Sequence, residues 1–199
     1  MVIEKILKNN QYVVLDNVIS HALQKEIYDT LDNKIGEFDW YHYDETIPVK
    51  SNYDVENTVD TGQFVHIFLM KQASQVYTSR HLHLVNKIVA EVFSKYKITD
   101  QIVTRAKANF LLNNRGTHKN SHSGVHVDLD TPHTVLLYYV NDSDGDTFLF
   151  NDDGTVQNRI QPQQGRLLVF DGKVLHASAN PINAKKRWVV NIDVEEKTQ

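Results

Sequence analysis

Four residues in the second half of the chain are of types that could act together. His126 and Asp128 lie two apart in His126-Val127-Asp128. In an extended segment, side chains at i and i+2 leave the same face, so this imidazole and this carboxylate point one way. His176 comes 50 positions after His126, in Lys173-Val174-Leu175-His176-Ala177-Ser178. Two imidazoles and one carboxylate brought together from facing strands can occupy one face of an octahedral metal. The other positions stay open, an arrangement that suits iron(II). Arg187 stands eleven residues further on, at the start of a β-branched run. Its rigid guanidinium fork matches a carboxylate, and buried without one it would be costly. Singly these signals are weak: a bare His-x-Asp is common, and Lys185-Lys186-Arg187 alone reads as a solvated charged turn. Order and spacing give the set its specificity.

The elements that must position these residues are legible in outline. Tyr12-Val13-Val14-Leu15, bounded by Asp16-Asn17, reads as a strand. Ser20 can cap a helix reaching about Leu31, with Leu23, Ile27 and Leu31 on one face. Phe64 to Met70 reads as a strand, followed by a helix over about Thr78 to Tyr96 carrying Leu82, Val85, Val89, Val92 and Tyr96. Residues 36–62 have no clear period and read as a long, partly structured excursion. From Gln101 onward strands dominate: Ile102–Leu112, Thr134–Val140, Thr147–Asn151, Val156–Ile160, Arg166–Phe170 and Arg187–Val194, separated by turn signals such as Asp144-Gly145-Asp146 and Asp152-Asp153-Gly154. Short strands at this spacing, preceded by helices, predict an α+β protein: two packed antiparallel sheets with helices braced against one.

Composition narrows the chemistry. The chain has 199 residues, a length that suits one domain, with residues 1–100 as helical support and edge strands and 101–199 as the catalytic core. Without cysteine it has no disulfide, thiolate metal site or cysteine nucleophile, and its ten histidines direct attention to imidazole chemistry. Against 25 acidic residues there are 21 Lys and Arg, so no global basic field favours a nucleic-acid partner. Met1-Val2-Ile3-Glu4-Lys5 lacks the pattern of a signal peptide, and no apolar run is long enough for a membrane span. The expectation is a soluble, cytoplasmic protein that engages no membrane.

From about Lys107 to Val194 the chain resembles the iron(II)- and 2-oxoglutarate-dependent dioxygenases, in the prolyl-hydroxylase-like branch also found in phage and marine bacterial genomes. The segments that carry the resemblance are His126-Val127-Asp128, Tyr138-Tyr139-Val140-Asn141, Asp144-Gly145-Asp146-Thr147, and His176-Ala177-Ser178 with Asn180-Pro181 leading to Arg187. The resemblance implies a distorted double-stranded β-helix, or jelly roll, with iron(II) held by His126, Asp128 and His176. It implies that 2-oxoglutarate chelates the iron while Arg187 pairs with its far carboxylate, and that Tyr139 donates its hydroxyl to that carboxylate. Strand alternation puts Val135, Leu137 and Tyr139 on one side and Tyr138 on the other, with plain sheet packing the competing reading for both tyrosines. Asn191, four beyond Arg187 and on its face, and Asn109 in the strand Ala106–Leu112 are further candidates for the cosubstrate pocket. The implied reaction decarboxylates 2-oxoglutarate to succinate while hydroxylating a C–H bond, with ascorbate in support. The expected substrate is a prolyl or other residue of a peptide or protein.

Other patterns were weighed against this one. His118-Lys119-Asn120-Ser121-His122 has the histidine spacing of a zinc peptidase helix but lacks its glutamate, and Gly116, Asn120, Ser121, Ser123 and Gly124 disfavour a helix. The stretch reads instead as a flexible loop over the site entrance, with His118 and His122 as substrate contacts. Nucleic-acid demethylases of the superfamily carry a second arginine six residues after the cosubstrate arginine, where this chain has Asp193. Related halogenases replace the metal carboxylate, which is present here as Asp128. Two alternatives stay open: the same chemistry on a free amino acid or other small molecule, and a non-enzymatic metal-binding double-sheet module. The shape of residues 36–62 and 113–124 is the expected discriminator between peptide and small-molecule substrates.

Overall fold

The computed structural model describes residues 7, 11–46, 55–72, 74–114 and 116–197. The N-terminal segment Met1 to Lys5 lies outside these, as do residues 47–54 of the 36–62 excursion and Arg115 of the 113–124 loop. In chain order the elements are β1 (Tyr12–Leu15), α1 (His21–Asp32), β2 (Tyr41–Tyr43), β3 (Gln63–Gln72), β4 (Gln75–Thr78), α2 (Leu82–Tyr96), β5 (Gln101–Leu112), β6 (Thr134–Tyr139), β7 (Thr147–Phe150), β8 (Val156–Ile160), β9 (Leu167–Asp171), β10 (His176–Ser178) and β11 (Lys186–Glu196). They form an eight-stranded sheet in the order β1-β9-β6-β11-β5-β3-β2, with β4 beside β3, and a three-stranded sheet β10-β7-β8. All these strand pairs are antiparallel. This is the α+β pair of antiparallel sheets that the patterning predicts, and the jelly roll that the resemblance implies.

Period-two alternation divides the large sheet into two different surfaces. On one face Ala106, Ala108, Leu136, Tyr138, Leu167, Val169, Trp188, Val190, Ile192 and Val194 join Leu23, Ile27 and Leu31 of α1 and Leu84, Val85, Ile88 and Val92 of α2 in one buried cluster. On the other face Val135, Leu137, Tyr139, Leu168, Phe170 and Val189 pack with Leu149 and Ile160 of the small sheet. A third cluster, Val125, Phe148, Phe150, Leu175, Ala177 and Ala179, closes the outer side of the small sheet. The helices therefore brace one face, and the space between the sheets is left for a site.

The start of α1 is held by a side chain. Ser20 Oγ accepts the Leu23 N–H at 3.4 Å and donates to Glu91 Oε1 of α2 at 2.9 Å, so the cap of α1 also ties the two helices together. Helix α2 begins at Leu82, four residues later than the periodicity suggests. The residues before it, Gln75–Thr78, instead pair with β3 as β4, and the Ser79 N–H bonds to Phe68 O at 2.9 Å. The excursion 36–62 is partly ordered, because Tyr41–Tyr43 pairs with the edge of β3. Among the described residues no helix is long and apolar enough to cross a membrane.

Ile88 is fully buried where α2 meets the large sheet. Replacing it with alanine is expected to destabilise the fold by about 2–5 kcal/mol, the range for truncating a large aliphatic side chain in a packed core. Urea denaturation would read this as a lower midpoint at unchanged slope.

Candidate active site

His126 and His176 are brought together by their own backbones. The His126 N–H bonds to His176 O at 3.0 Å and the His176 N–H returns the bond to His126 O at 3.0 Å, although 50 residues separate them. Their ring centroids lie 4.5 Å apart. His126 Nδ1 donates to Gly124 O at 3.0 Å and His176 Nδ1 to Val174 O at 3.1 Å. A proton fixed on each Nδ1 leaves each Nε2 with its lone pair, the tautomer a metal needs. Burial, with the adjacent His176, pushes His126 down to about 3 and keeps it neutral. Asp128 Oδ2 lies 3.4 Å from His176 Nε2. One ligand atom from each of His126, Asp128 and His176 falls within 4.8 Å of the others.

Burial acts to raise the Asp128 pKa, but the neighbouring His176 and the charges of Lys107 and Arg105 hold this carboxyl well below the usual carboxylate range. Asp128 Oδ1 accepts from Arg105 Nη2, and Oδ2 accepts from Asn191 Nδ2 at 2.9 Å. Arg105 also donates through Nε to Asp193 Oδ2, so one guanidinium ties two buried carboxylates. Burial and the charge of Asp128 push Asp193 up to about 6, against the pull of Arg105.

Arg187 settles which side of β11 the basic run serves. Lys186 turns to the helix face, pairing with Asp32 Oδ1 at 2.6 Å and lying 3.5 Å over the Trp188 ring. Arg187 turns inward and is 2% exposed, so the solvated-turn reading of Lys185-Lys186-Arg187 fails. Its Nε donates to Gly145 O at 2.7 Å and its Nη2 to Thr147 Oγ1 at 2.8 Å. The Tyr139 hydroxyl donates to the same Thr147 Oγ1 at 2.7 Å. A side chain at Gly145 would bring a Cβ within 2.5 Å of Ala179 O, so only glycine lets this turn close over the guanidinium. Among the described residues no carboxylate pairs with Arg187, and burial alone lowers its pKa. A pocket joins these groups, lined among others by Lys107, Asn109, His126, His176, Arg187 and Asn191.

Residues 110–192 match the sequence profile of the 2OG-Fe(II) oxygenase superfamily. The matched segment, less than half of the chain, runs from the end of β5 into β11, and that segment is similar to the superfamily. A comparison with curated proteins finds no match. Among solved structures, a 2OG-Fe(II) oxygenase family oxidoreductase from Burkholderia pseudomallei superposes with a TM-score of 0.69 at 13% identity, covering 99% of this chain and 91% of that one. A prolyl hydroxylase from Trichoplax adhaerens, in complex with a hypoxia inducible factor peptide fragment, gives 0.63 at 15% identity over 98% and 87% of the two chains. A Pseudomonas putida prolyl-4-hydroxylase gives 0.58 at 13% identity over 96% and 95%. At these identities the structures establish a shared fold.

That profile is one of iron(II) and 2-oxoglutarate enzymes, and the pocket has residues that fit both groups. Two neutral imidazoles and a carboxylate suit iron(II), and a buried arginine without an anion suits the far carboxylate of 2-oxoglutarate. The remaining expected residues divide. Asn191 gives its amide to Asp128 and so orients a metal-ligand candidate, while Asn109 gives its amide to Gln63 Oε1 at 2.6 Å on the pocket wall. Tyr139 is fully buried, and its hydroxyl ends on Thr147 beside Arg187; burial pushes it up to about 12.

The loop 113–124 does not behave as a free entrance flap. His122 is 2% exposed, its ring lying 5.2 Å from Phe148 and 5.0 Å from Phe150, and its nitrogens meet Ser123 O and Glu56 O. The Ser123 N–H bonds to Ser178 O at 2.7 Å. His118 is exposed, and neither histidine, expected as a substrate contact, is among the residues that line this pocket. Sequence reasoning missed Arg105, Lys107 and Thr147. The signal was available in β5, where Arg105, Lys107 and Asn109 recur at every second position and share the pocket face.

Removing one member of a buried charge network leaves its partners unpaired. Arg105→Met is therefore expected to cost about 3–5 kcal/mol. Adding Asp193→Leu to Arg105→Met should recover part of that loss, because a second buried charge is removed with its partner. Urea titration of the parent, the single variant and the double variant measures both steps.

Proposed function

We propose that the protein is an iron(II)- and 2-oxoglutarate-dependent hydroxylase working as one catalytic unit, with residues 101–199 holding the site and 1–100 bracing it. His126, Asp128 and His176 would hold the metal, and Arg187 would receive the far carboxylate of 2-oxoglutarate. The observation that carries this reading is the pairing, in one pocket, of a preformed His-Asp-His donor set with a buried arginine that has no anionic partner among the described residues. When bound, iron(II) and 2-oxoglutarate would activate dioxygen, the oxidant of the reaction: one oxygen atom would enter succinate as 2-oxoglutarate loses carbon dioxide, and the other would convert a C–H bond to C–OH.

The chain's own part is positional. Gly124 O and Val174 O hold the two imidazoles in the metal-binding tautomer. Arg105 and Asn191 fix both oxygens of Asp128, so its carboxylate enters the site in one orientation. Gly145 and Thr147 clamp Arg187 from behind, and the apolar walls Leu137, Phe170 and Val189 keep water from the reacting centre. The proposed substrate is a prolyl or other residue of a peptide or protein, a reading supported by the prolyl hydroxylases among the structural neighbours. A second reading, a free amino acid or other small molecule, is favoured by the narrowness of the pocket between the two sheets. Succinate release with iron(II), 2-oxoglutarate and ascorbate, over a panel of prolyl peptides and free amino acids, tests the reaction. Stimulation by one class identifies the substrate type, and protein that binds neither iron(II) nor 2-oxoglutarate would refute the proposal.

Two variants separate the roles. His176→Ala is expected to lose iron(II) affinity and turnover while keeping the far-ultraviolet circular dichroism of the parent, since the apolar clusters do not depend on the metal. Arg187→Lys is expected to weaken 2-oxoglutarate by about 10- to 100-fold, or about 1.4–2.8 kcal/mol, because a lysine cannot reproduce the two-pronged geometry. Anaerobic calorimetry with metal and cosubstrate in turn reads both, and the metal affinity of Arg187→Lys should hardly move.

A further inference from the structure

Lys107 is a pocket cation to which the reading above gives no ligand. It sits on β5 between Arg105 and Asn109, lines the same pocket as His126, His176 and Arg187, and lies outside the segment 110–192 that matches the superfamily. Its side chain is 19% exposed, and the nearest carboxylate oxygen, Asp128 Oδ1, is 3.9 Å from Nζ. That oxygen already accepts from Arg105, and Oδ2 accepts from Asn191, so Asp128 has its donors without the lysine. An ammonium carries three donors, and holding it away from water without a close acceptor is unfavourable. Arg105 and Arg187, by contrast, both have short hydrogen bonds within the fold.

Charge balance points the same way. Among the described residues around the pocket, Arg105, Lys107 and Arg187 face the carboxylates Asp128 and Asp193, which leaves one positive charge in excess. Iron(II) and the 2-oxoglutarate dianion cancel one another and do not remove that excess. A further anion is needed, and Lys107 is the cation free to receive it. We infer that Lys107 binds a carboxylate of the primary substrate, so that the protein selects a C–H bond close to an anionic group. The inference rests on the proposed cosubstrate pocket and narrows its substrate class. The carboxylate can come from a free amino acid or from an acidic side chain of a peptide, and one experiment separates the two.

The test uses the full chain loaded anaerobically with Mn(II) and 2-oxoglutarate. The probes are the free L-amino acids, their carboxamides, and end-capped tripeptides Gly-Asp-Gly and Gly-Glu-Gly beside Gly-Asn-Gly and Gly-Gln-Gly, with affinity read by thermal shift and calorimetry. At least one carboxylate is expected to bind about tenfold more tightly than its neutral counterpart, about 1.4 kcal/mol for a charge-assisted bond. A preference among free amino acids assigns a small-molecule substrate, and one confined to the tripeptides assigns an acidic peptide. Lys107→Met should erase the preference and Lys107→Arg should keep it, with 2-oxoglutarate affinity changed by no more than about twofold in either. The inference is overturned if no carboxylate outbinds its neutral counterpart in the parent, or if the preference survives in Lys107→Met. It is also overturned if Lys107→Met weakens 2-oxoglutarate itself by about tenfold, which would give the lysine to the cosubstrate. Parent protein that takes up no 2-oxoglutarate refutes the proposed function instead, and the inference falls with it.

Discussion

The site depends first on β11 being paired on both edges. Bonded to β5 on one side and β6 on the other, it has no freedom to slip, because a one-residue shift would turn every side chain to the opposite face. Trp188, Val190, Ile192 and Val194 are locked against the helices, and that lock points Arg187, Val189, Asn191 and Asp193 into the space between the sheets. The same register sets Arg187 opposite Leu111 and Asn191 opposite Lys107, so the polar face of β5 is phased to that of β11. Apolar burial on one face thus fixes the placement of polar groups on the other.

Polar groups buried between sheets must find partners, and the pattern of partners is what distinguishes them here. Arg105 spans Asp128 and Asp193, and Arg187 is clamped by a carbonyl and a hydroxyl. The first arrangement is balanced within the protein. The second supplies donors and rigidity but no countercharge, which is the difference between a structural cation and one that awaits a ligand. His126 and His176 follow the same logic, since each spends Nδ1 on a backbone carbonyl and turns Nε2 towards Asp128.

His122 shows how the same residue type is used differently a few positions away. It was placed over the entrance because Gly116, Asn120, Ser123 and Gly124 suggest a mobile loop. The fold ties that loop to β10 through Ser123 and Ser178 and wedges the imidazole against Phe148 and Phe150, on the outer face of the small sheet. Turn-forming residues describe backbone freedom in an isolated chain. They do not say which neighbouring strand will take up the backbone hydrogen bonds.

By itself the sequence determined the local facts: the strands and their alternation, the Ser20 cap, the adjacency of His126 and Asp128, and the split of Tyr138 from Tyr139 across β6. These follow from periods of two and of 3.6 and from short-range hydrogen bonding, which act within a few residues. Tertiary structure alone decided the rest. It joined His126 to His176 across 50 residues, paired Lys186 with Asp32 so that Arg187 could be buried, and set Arg105 between Asp128 and Asp193. Each of these depends on which strands become neighbours, and that is fixed by burying the whole apolar face of the large sheet, a constraint that no single segment of the chain contains.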